Sequence, residues 1–546
     1  MTDWTSGVGR RQLLGGAVLG GAGLLLPARL RAAAAPLAGF THGVATGEPG
    51  ANEMLFWTRF AGAGRQPVPL QLEISTDPRM ARARIVAEAH ADPARDWTAR
   101  TTVRGLAPGR VYYYRFLGPS RSRSPVGRTR TLPEGMPAAW RMGVFACSNL
   151  PYGWFNGYAH AVAADDIDLF VHLGDYIYEY ARGIYPDARS ALPDRPIEPA
   201  GETVRREDYW ARYRSYRADP DLQALHARVP SVTVWDDHEI ANDAWTGGAE
   251  NHRSEQGDWA TRLAAARAAY RDWMPISDAA YASYEIGRLA TLYRLDTRVE
   301  GRDRQLDLAD AIRQGPDTLT ALRRLRDEQW VAGGRQLLGQ RQEQWLFEGM
   351  RSASRRGVRW QVLAQQVVMG EVMLPQDAAR LAGPNPGDAV AAFLGAAEVA
   401  ARLGLPMNLD AWDGYPAARA RLLSTAQRNG VDLVVLAGDS HNAWASELVN
   451  DGRPAGVEFA VQSVSSPGFE SYLATPPSAV AEAFVRANPT LKWADTGQRG
   501  YMQVTLTPAE ALCEWRFTGS NKVRSSRLAG SMRGRAGAGQ KRLAMG

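Results

Sequence analysis

Cysteine is nearly absent from this 546-residue chain: Cys147 and Cys513 are the only two. They can form one bridge at most, so a disulfide-stapled small scaffold is excluded. Lysine is as rare, because arginine supplies 61 of the 64 basic residues, and no single arginine stands out by composition as an anion ligand. An excess of one charge is missing too. A formal net charge of +6, with interspersed signs and no recognisable nucleic-acid motif, gives no reason to expect a nucleic-acid partner. No internal repeat, long low-complexity segment or stretch long enough for a stable membrane span occurs, which leaves out repeat arrays and multi-span membrane proteins. What remains is 45% hydrophobic and 22% charged, with room for one large domain and a smaller one.

The N-terminus has processing character. Gly9-Arg10-Arg11-Gln12-Leu13-Leu14 precedes a mildly apolar run, Gly15 to Leu26, which leads to Ala32-Ala33-Ala34-Ala35. The run is too short and too glycine-rich for a permanent span, and its paired arginines resemble a twin-arginine export signal over residues 1–35. Removing those residues discards four arginines and one aspartate and leaves +3. The expected partner in export is the Tat translocase, and the expected location is periplasmic or secreted.

From residue 36 to about 135 the chain reads as strands and turns. Glu53–Thr58, Leu70–Ile74 and Val111–Phe116 are β-prone, and turns such as Gly105-Leu106-Ala107-Pro108-Gly109 separate them, as in a small fibronectin-like β-sandwich. Residues 136–525 change character. Four apolar strands are predicted, at Arg141–Ala146, Ile167–Leu173, Ser231–Trp235 and Val431–Ala437, and each ends in reactive residues: Cys147-Ser148-Asn149, Gly174-Asp175, Asp236-Asp237-His238-Glu239 and Gly438-Asp439-Ser440-His441. In layered α/β folds ligands gather beyond the carboxyl ends of strands, so positions some 290 residues apart can meet there. Helices are predicted over 258–271 and 340–350. The Arg-, Gly- and Ala-rich residues 526–546 read as a tail without fixed structure.

A cluster of Cys147, Asn149, Asp175, Tyr178, Asp237, Asp439 and His441 offers thiolate, phenolate, imidazole and carboxylate donors together. That mixture suits two unlike metals better than one. Gly174 permits a tight turn before Asp175, and Tyr178 is placed to reach back to the same ion. His172, inside its strand, reads as a packed imidazole. Either Asp236 or Asp237 can ligate, with Asn242 completing the shell, while His238 points towards substrate as a proton donor. Arg182 and Arg298 near the strand ends are candidates to pair with phosphate oxygens. The bland readings are a buried small hydrophobe for Cys147 and helix N-caps for the aspartates; aspartates at the ends of several strands make the N-cap reading the weaker one.

These motifs resemble the PhoD-type alkaline phosphatase and phosphodiesterase family of the calcineurin-like metallophosphoesterases. The residues carrying the resemblance are Phe40-Thr41-His42-Gly43-Val44-Ala45-Thr46-Gly47-Glu48-Pro49, Ala146-Cys147-Ser148, Gly174-Asp175-Tyr176-Ile177-Tyr178-Glu179, Trp235-Asp236-Asp237-His238-Glu239, Leu295-Asp296-Thr297-Arg298 and Leu436-Ala437-Gly438-Asp439-Ser440-His441. The resemblance implies a four-layer α/β/β/α core with an N-terminal β-sandwich. It also implies Fe3+ near Cys147, Asp175, Tyr178 and His441, and Ca2+ near Asn149, Asp175, Asp237 and Asp439. Purple acid phosphatases, similar at the level of fold, carry a Gly-Asp-x-x-Tyr motif matched by Gly174 to Tyr178; their Gly-Asn-His-Asp/Glu motif implies Asp237 as ligand and His238 as proton donor. Their opening Asp-x-His is replaced here by Cys147-Ser148-Asn149. The expected protein is a monomeric, exported alkaline phosphatase acting on phosphate monoesters and, beyond them, diesters. The alternatives are a phosphodiesterase of phospholipase D type, acting on phospholipid headgroups or teichoic-acid-like polymers, and an inactive secreted binding module.

Overall fold

The computed structural model describes residues 39–546 apart from 63, 377 and 382–387; the export segment read at residues 1–35 lies outside the described residues. Two large sheets face each other. The first orders ten strands from edge to edge as Ala544–Met545, Leu528–Gly537, Glu510–Thr518, Arg499–Leu506, Trp140–Phe145, Leu169–His172, Ser231–Thr233, Gly39–Gly47, Glu53–Ala61 and Thr98–Arg104. The second orders seven: Ala282–Ile286, Ala290–Arg294, Trp360–Ala364, Asp432–Ala437, Arg453–Ala460, Ala443–Asn450 and Leu491–Asp495. The central strands of both run parallel.

Alternation of side chains explains the layering. Met142 and Val144, Leu169 and Val171, Val362, Val434 and Leu436 fill one core between the sheets. Their neighbours Phe145 and Phe170 turn outward onto a second core, and Leu363, Leu433 and Val435 onto a third. Strands buried on both faces are therefore apolar at nearly every position. Helices Asn156–Ala164, Arg206–Arg217, Pro220–Arg228 and Trp259–Trp273 cover the ten-stranded sheet, and Gln340–Arg355 with Pro416–Arg428 covers the other. The helix predicted from residue 258 starts at Trp259 because Asp258 caps it, accepting the Thr261 N–H at 3.0 Å. In Gln340–Arg355 the buried residues Gln342, Leu346, Met350 and Ala353 form one stripe. Among the described residues no helix is long and apolar enough to cross a membrane.

The N-terminal β-domain packs Gly39–Gly47, Glu53–Ala61 and Thr98–Arg104 against a four-stranded sheet through Val44, Met54, Phe56, Leu72, Tyr114 and Phe116. Its inner sheet is continuous with the catalytic one, because Gly47 pairs in parallel with Ser231. One expectation fails at the other end. Residues 526–546 are not a structureless tail: Leu528–Gly537 pairs along Glu510–Thr518, and Ala544–Met545 returns upon it. Backbone pairing needs no apolar composition, and the small residues help, since a Cβ on Gly534 would stand 3.2 Å from the Trp515 ring.

Candidate metal centre

Three parallel strands of the first sheet and one of the second deliver their terminal residues to one place. The turns that follow are tight: Cys147, Asp175, Asp439 and His441 have φ of 58°, 54°, 58° and 61°. Left-handed conformations at non-glycine residues cost free energy and persist where surrounding contacts over-determine them. Here the Cys147 N–H donates to Gly174 O (3.0 Å) and the Ser148 N–H to Asp175 O (2.9 Å). Gly174, at φ 100°, lets the turns meet. A Cβ there would lie 2.4 Å from the Asp236 Cβ and 2.5 Å from its backbone nitrogen. Neither Asp175 nor Asp236 begins a helix, so the N-cap reading does not apply.

Buried Glu239 ties these turns together. Its carboxyl accepts N–H groups from Asp175 (3.1 Å), Tyr176 (2.7 Å) and Asp236 (2.8 Å). Burial, with the Asp175 charge beside it, pushes this carboxyl up to about 8 against the pull of those donors.

Three trios of buried side chains bring ligand atoms within 4.8 Å of one another: Cys147, Asp175 and His441; Asp175, Asp237 and His238; and Asp236, Asp237 and Asp439. In the first, His441 Nδ1 lies 2.6 Å from Pro467 O. A carbonyl only accepts, so Nδ1 carries the proton and the Nε2 lone pair faces the site. That Nε2 is 3.3 Å from the Tyr178 hydroxyl and 3.7 Å from Asp175 Oδ2. The Tyr178 hydroxyl also donates to Asp175 Oδ2 at 2.8 Å and stands 2.6 Å from Ser466 Oγ. Asn149 is fully buried at the turn after Cys147; its Oδ1 accepts the Tyr152 N–H, and its Nδ2 is without a hydrogen-bond partner.

The third trio contains both Asp236 and Asp237, the two aspartates between which the sequence left the choice open. Burial raises the Asp236 carboxyl well above its ordinary range; Asp237, Asp175 and Asp439 add to that, and Arg298 opposes it. Asp236 Oδ2 has no hydrogen-bond partner although buried, an orphan acceptor of the kind a cation satisfies.

Arg298 is not disposed to bind phosphate. Its guanidinium is fully buried and spent on carboxylates: Nε donates to Asp236, Nη1 to Asp410 at 2.8 Å and Nη2 to Asp439 at 3.2 Å. Asp410 is held in turn by Arg302. Arg182 serves a loop instead, donating to Ile197 O at 2.6 Å and pairing with Glu198. Asp410, in a loop with no strand-end signature, was not foreseen.

Nor was Glu179, although it directly follows Tyr178. Its Oε2 lies 2.6 Å from His238 Nδ1, and its Oε1 accepts the Asn242 N–H at 2.7 Å. Burial raises this carboxyl, but the His238 charge and hydrogen bond, with Arg262, bring it below its ordinary value. A charged Glu179 holds the proton on Nδ1 and leaves Nε2 of His238 for chemistry. The ring sits with its centroid 4.4 Å from that of Tyr178. Asn242 donates through Nδ2 to Glu250 at 2.6 Å and faces a cavity of about 230 Å³ that Asp439 and His441 border. His172 is packed, as read from its strand: its Nε2 is 3.0 Å from the Tyr158 hydroxyl, and burial lowers it to about 3.

Comparison with known proteins gives the same picture. The model of the PhoD-like phosphatase family matches residues 142–515, and that of the PhoD-like phosphatase N-terminal domain matches residues 27–133. Alkaline phosphatase D of Bacillus subtilis (strain 168) is 31% identical over 501 residues, 87% of this chain and 77% of that protein. Purple acid phosphatase 15 of Arabidopsis thaliana is 30% identical over 146 residues, a quarter of each chain. The solved structure of PhoD superposes with a TM-score of 0.76 at 27% identity, covering 94% of this chain and 93% of the other. Purple acid phosphatase PPD1 from yellow lupin, at 13% identity and a TM-score of 0.55 over 91% of this chain and 74% of the other, shares the fold. The chain belongs to the PhoD-like phosphatase family. It is a metal-dependent phosphoesterase.

Proposed function

We propose that the protein is an exported alkaline phosphatase for monoesters and diesters, with Fe3+ held by Cys147, Asp175, Tyr178 and His441. Ca2+ would be held by Asn149, Asp175, Asp237 and Asp439, with Asp236 added to that set. The observation that carries this reading is the chain of shared carboxylates: Asp175 belongs both to the trio with Cys147 and His441 and to that with Asp237 and His238, and Asp237 belongs in turn to the trio with Asp236 and Asp439. Sulfur, phenolate and imidazole donors suit a transition metal, and clustered carboxylates suit a hard divalent cation. Two such ions supply charge stabilisation for a phosphoryl group and a water of lowered pKa. The chain's own residues do the rest. Glu179 fixes the His238 ring, His238 Nε2 delivers a proton to the departing oxygen, and Arg298 keeps Asp236 and Asp439 spaced. The twin-arginine pattern before Ala35 supports export through the Tat translocase to the periplasm or medium.

The test is elemental analysis of mature protein purified without added metal, alongside hydrolysis of a monoester and a diester at alkaline pH. Iron and calcium lost together with activity in Cys147→Ala and Asp175→Asn would support the reading. Protein that stays inert after both ions are supplied would overturn it.

A further inference from the structure

We propose that the cavity beside Asp439 and His441 is a subsite for one short apolar group of the phosphoester, alkyl or aryl. The inference rests on the phosphoesterase reading above and specifies what that site selects. One end of the cavity is the metal centre, so a phosphoryl group placed there projects an organic substituent into the remaining space. The whole cavity measures about 230 Å³, against about 150 Å³ for a dry cavity that holds benzene, and so exceeds the needs of phosphate alone.

The apolar wall of the cavity includes Leu374, Met407, Trp444, Phe469, Leu473 and Phe484. Five of these have no hydrogen-bonding side-chain hydrogen, and the sixth has its donor committed, Trp444 Nε1 to Ser440 Oγ at 2.8 Å. A substrate hydroxyl pressed against this wall would lose water without replacement. The wall is also packed ring on ring. The Phe469 and Phe484 rings stack at 5.5 Å with 13° between planes, and Trp444 meets Phe484 edge-on at 5.5 Å.

Its coupling to the metal centre is direct. Ser440, which anchors Trp444, lies between Asp439 and His441. The Phe469 N–H donates to Asn442 Oδ1 at 3.3 Å, and Pro467, two residues before Phe469, supplies the carbonyl that fixes the His441 tautomer. An apolar group seated on this wall is thereby held in register with the reacting phosphorus, which is how remote binding contributes to rate.

The experiment is phosphate release by the metal-loaded, full-length enzyme from methyl, butyl, hexyl, decyl and dodecyl phosphate, with glycerol phosphate as the polar counterpart of butyl phosphate. Expected is a rise in kcat/KM of about fourfold per methylene up to hexyl, then a plateau, with glycerol phosphate about tenfold below butyl phosphate. Phe469→Ser should flatten the hexyl-to-methyl ratio, and Leu473→Thr, at another partly buried position, gives a second reading if the first variant does not fold. A flat series in which glycerol phosphate equals butyl phosphate would overturn the subsite while leaving the phosphoesterase intact. A rise that continues to dodecyl would overturn the enclosed subsite in favour of an outer apolar surface. Failure to hydrolyse any of the esters would overturn the phosphoesterase reading and the subsite with it.

Discussion

At the Cys147 end of the centre a thiol, a phenol and an imidazole meet one carboxylate, whereas at the Asp236 end three carboxylates crowd around Arg298. The first end is set by hydrogen bonds that fix lone pairs, such as Pro467 O on His441 Nδ1. The second is set by charge. Burial raises Asp236; Asp237 and Asp439 add to that, and the cation that opposes them is an arginine with its donors on Asp236, Asp410 and Asp439. Donor chemistry is thus set by oriented hydrogen bonds at one end and by charge compensation at the other, with Asp175 and Asp237 linking the two.

Removing the joint should have the largest effect. Asp175→Asn is expected to lower activity by more than about 100-fold, the upper range for residues that merely support a metal site, and to deplete both kinds of metal in elemental analysis. Depletion of one kind only would show that the two ends are independent. Arg298→Met should come next, destabilising the metal-free protein by about 3–5 kcal/mol, the cost of breaking a buried charge network, as read by denaturant unfolding. Added divalent cation should recover part of that loss, and Cys147→Ala should show no such rescue. For Glu179→Gln, kcat is expected to fall about 10- to 100-fold with metal content unchanged. The fall should be steeper for alkyl than for nitrophenyl esters, because only a poor leaving group needs the His238 proton; equal falls would reduce Glu179 to a packing role.

The smallest effect lies away from both ends. His42 is lowered from 6.5 to about 3, chiefly by burial and then by Arg59 and Arg217, and buried His226 is likewise lowered well below its ordinary value by burial and by Arg217. Each is neutral in the folded protein, while the unfolded chain takes up a proton below pH 6.5. Stability should therefore be full above pH 6.5 and decline as pH falls from there towards 3. His42→Gln should shallow that slope in denaturant titrations, without changing metal content at either end of the centre.

Much of the candidate centre was legible because its clustered donor residues follow apolar strands. Strand ends are where layered α/β folds collect ligands, so Cys147, Asp175, Asp237, Asp439 and His441 announced themselves by position. Arg298 was legible as a motif residue but misread in role, since a run such as Leu295-Asp296-Thr297-Arg298 does not reveal that Asp410, 112 residues on, is waiting for its guanidinium. Glu179 and Glu239 stood inside recognised motifs, yet their partners are set by how two turns cross. The tail was misjudged because Arg-, Gly- and Ala-rich residues can join a sheet by backbone hydrogen bonds alone, which composition does not register.

Alternating and continuous apolar runs, turn glycines and strand-terminal ligands are local properties, and they fixed the layers, the kinds of donor and the family resemblance before any coordinates. The division of carboxylates between Arg298 and the metal centre, the lone pair left on His441, and the apolar wall built from residues 374 to 484 are of another kind. They arise from side chains far apart in the chain competing for the same buried space, where every donor must find a partner and every charge a counter-charge. That competition is resolved only when the two sheets close on each other.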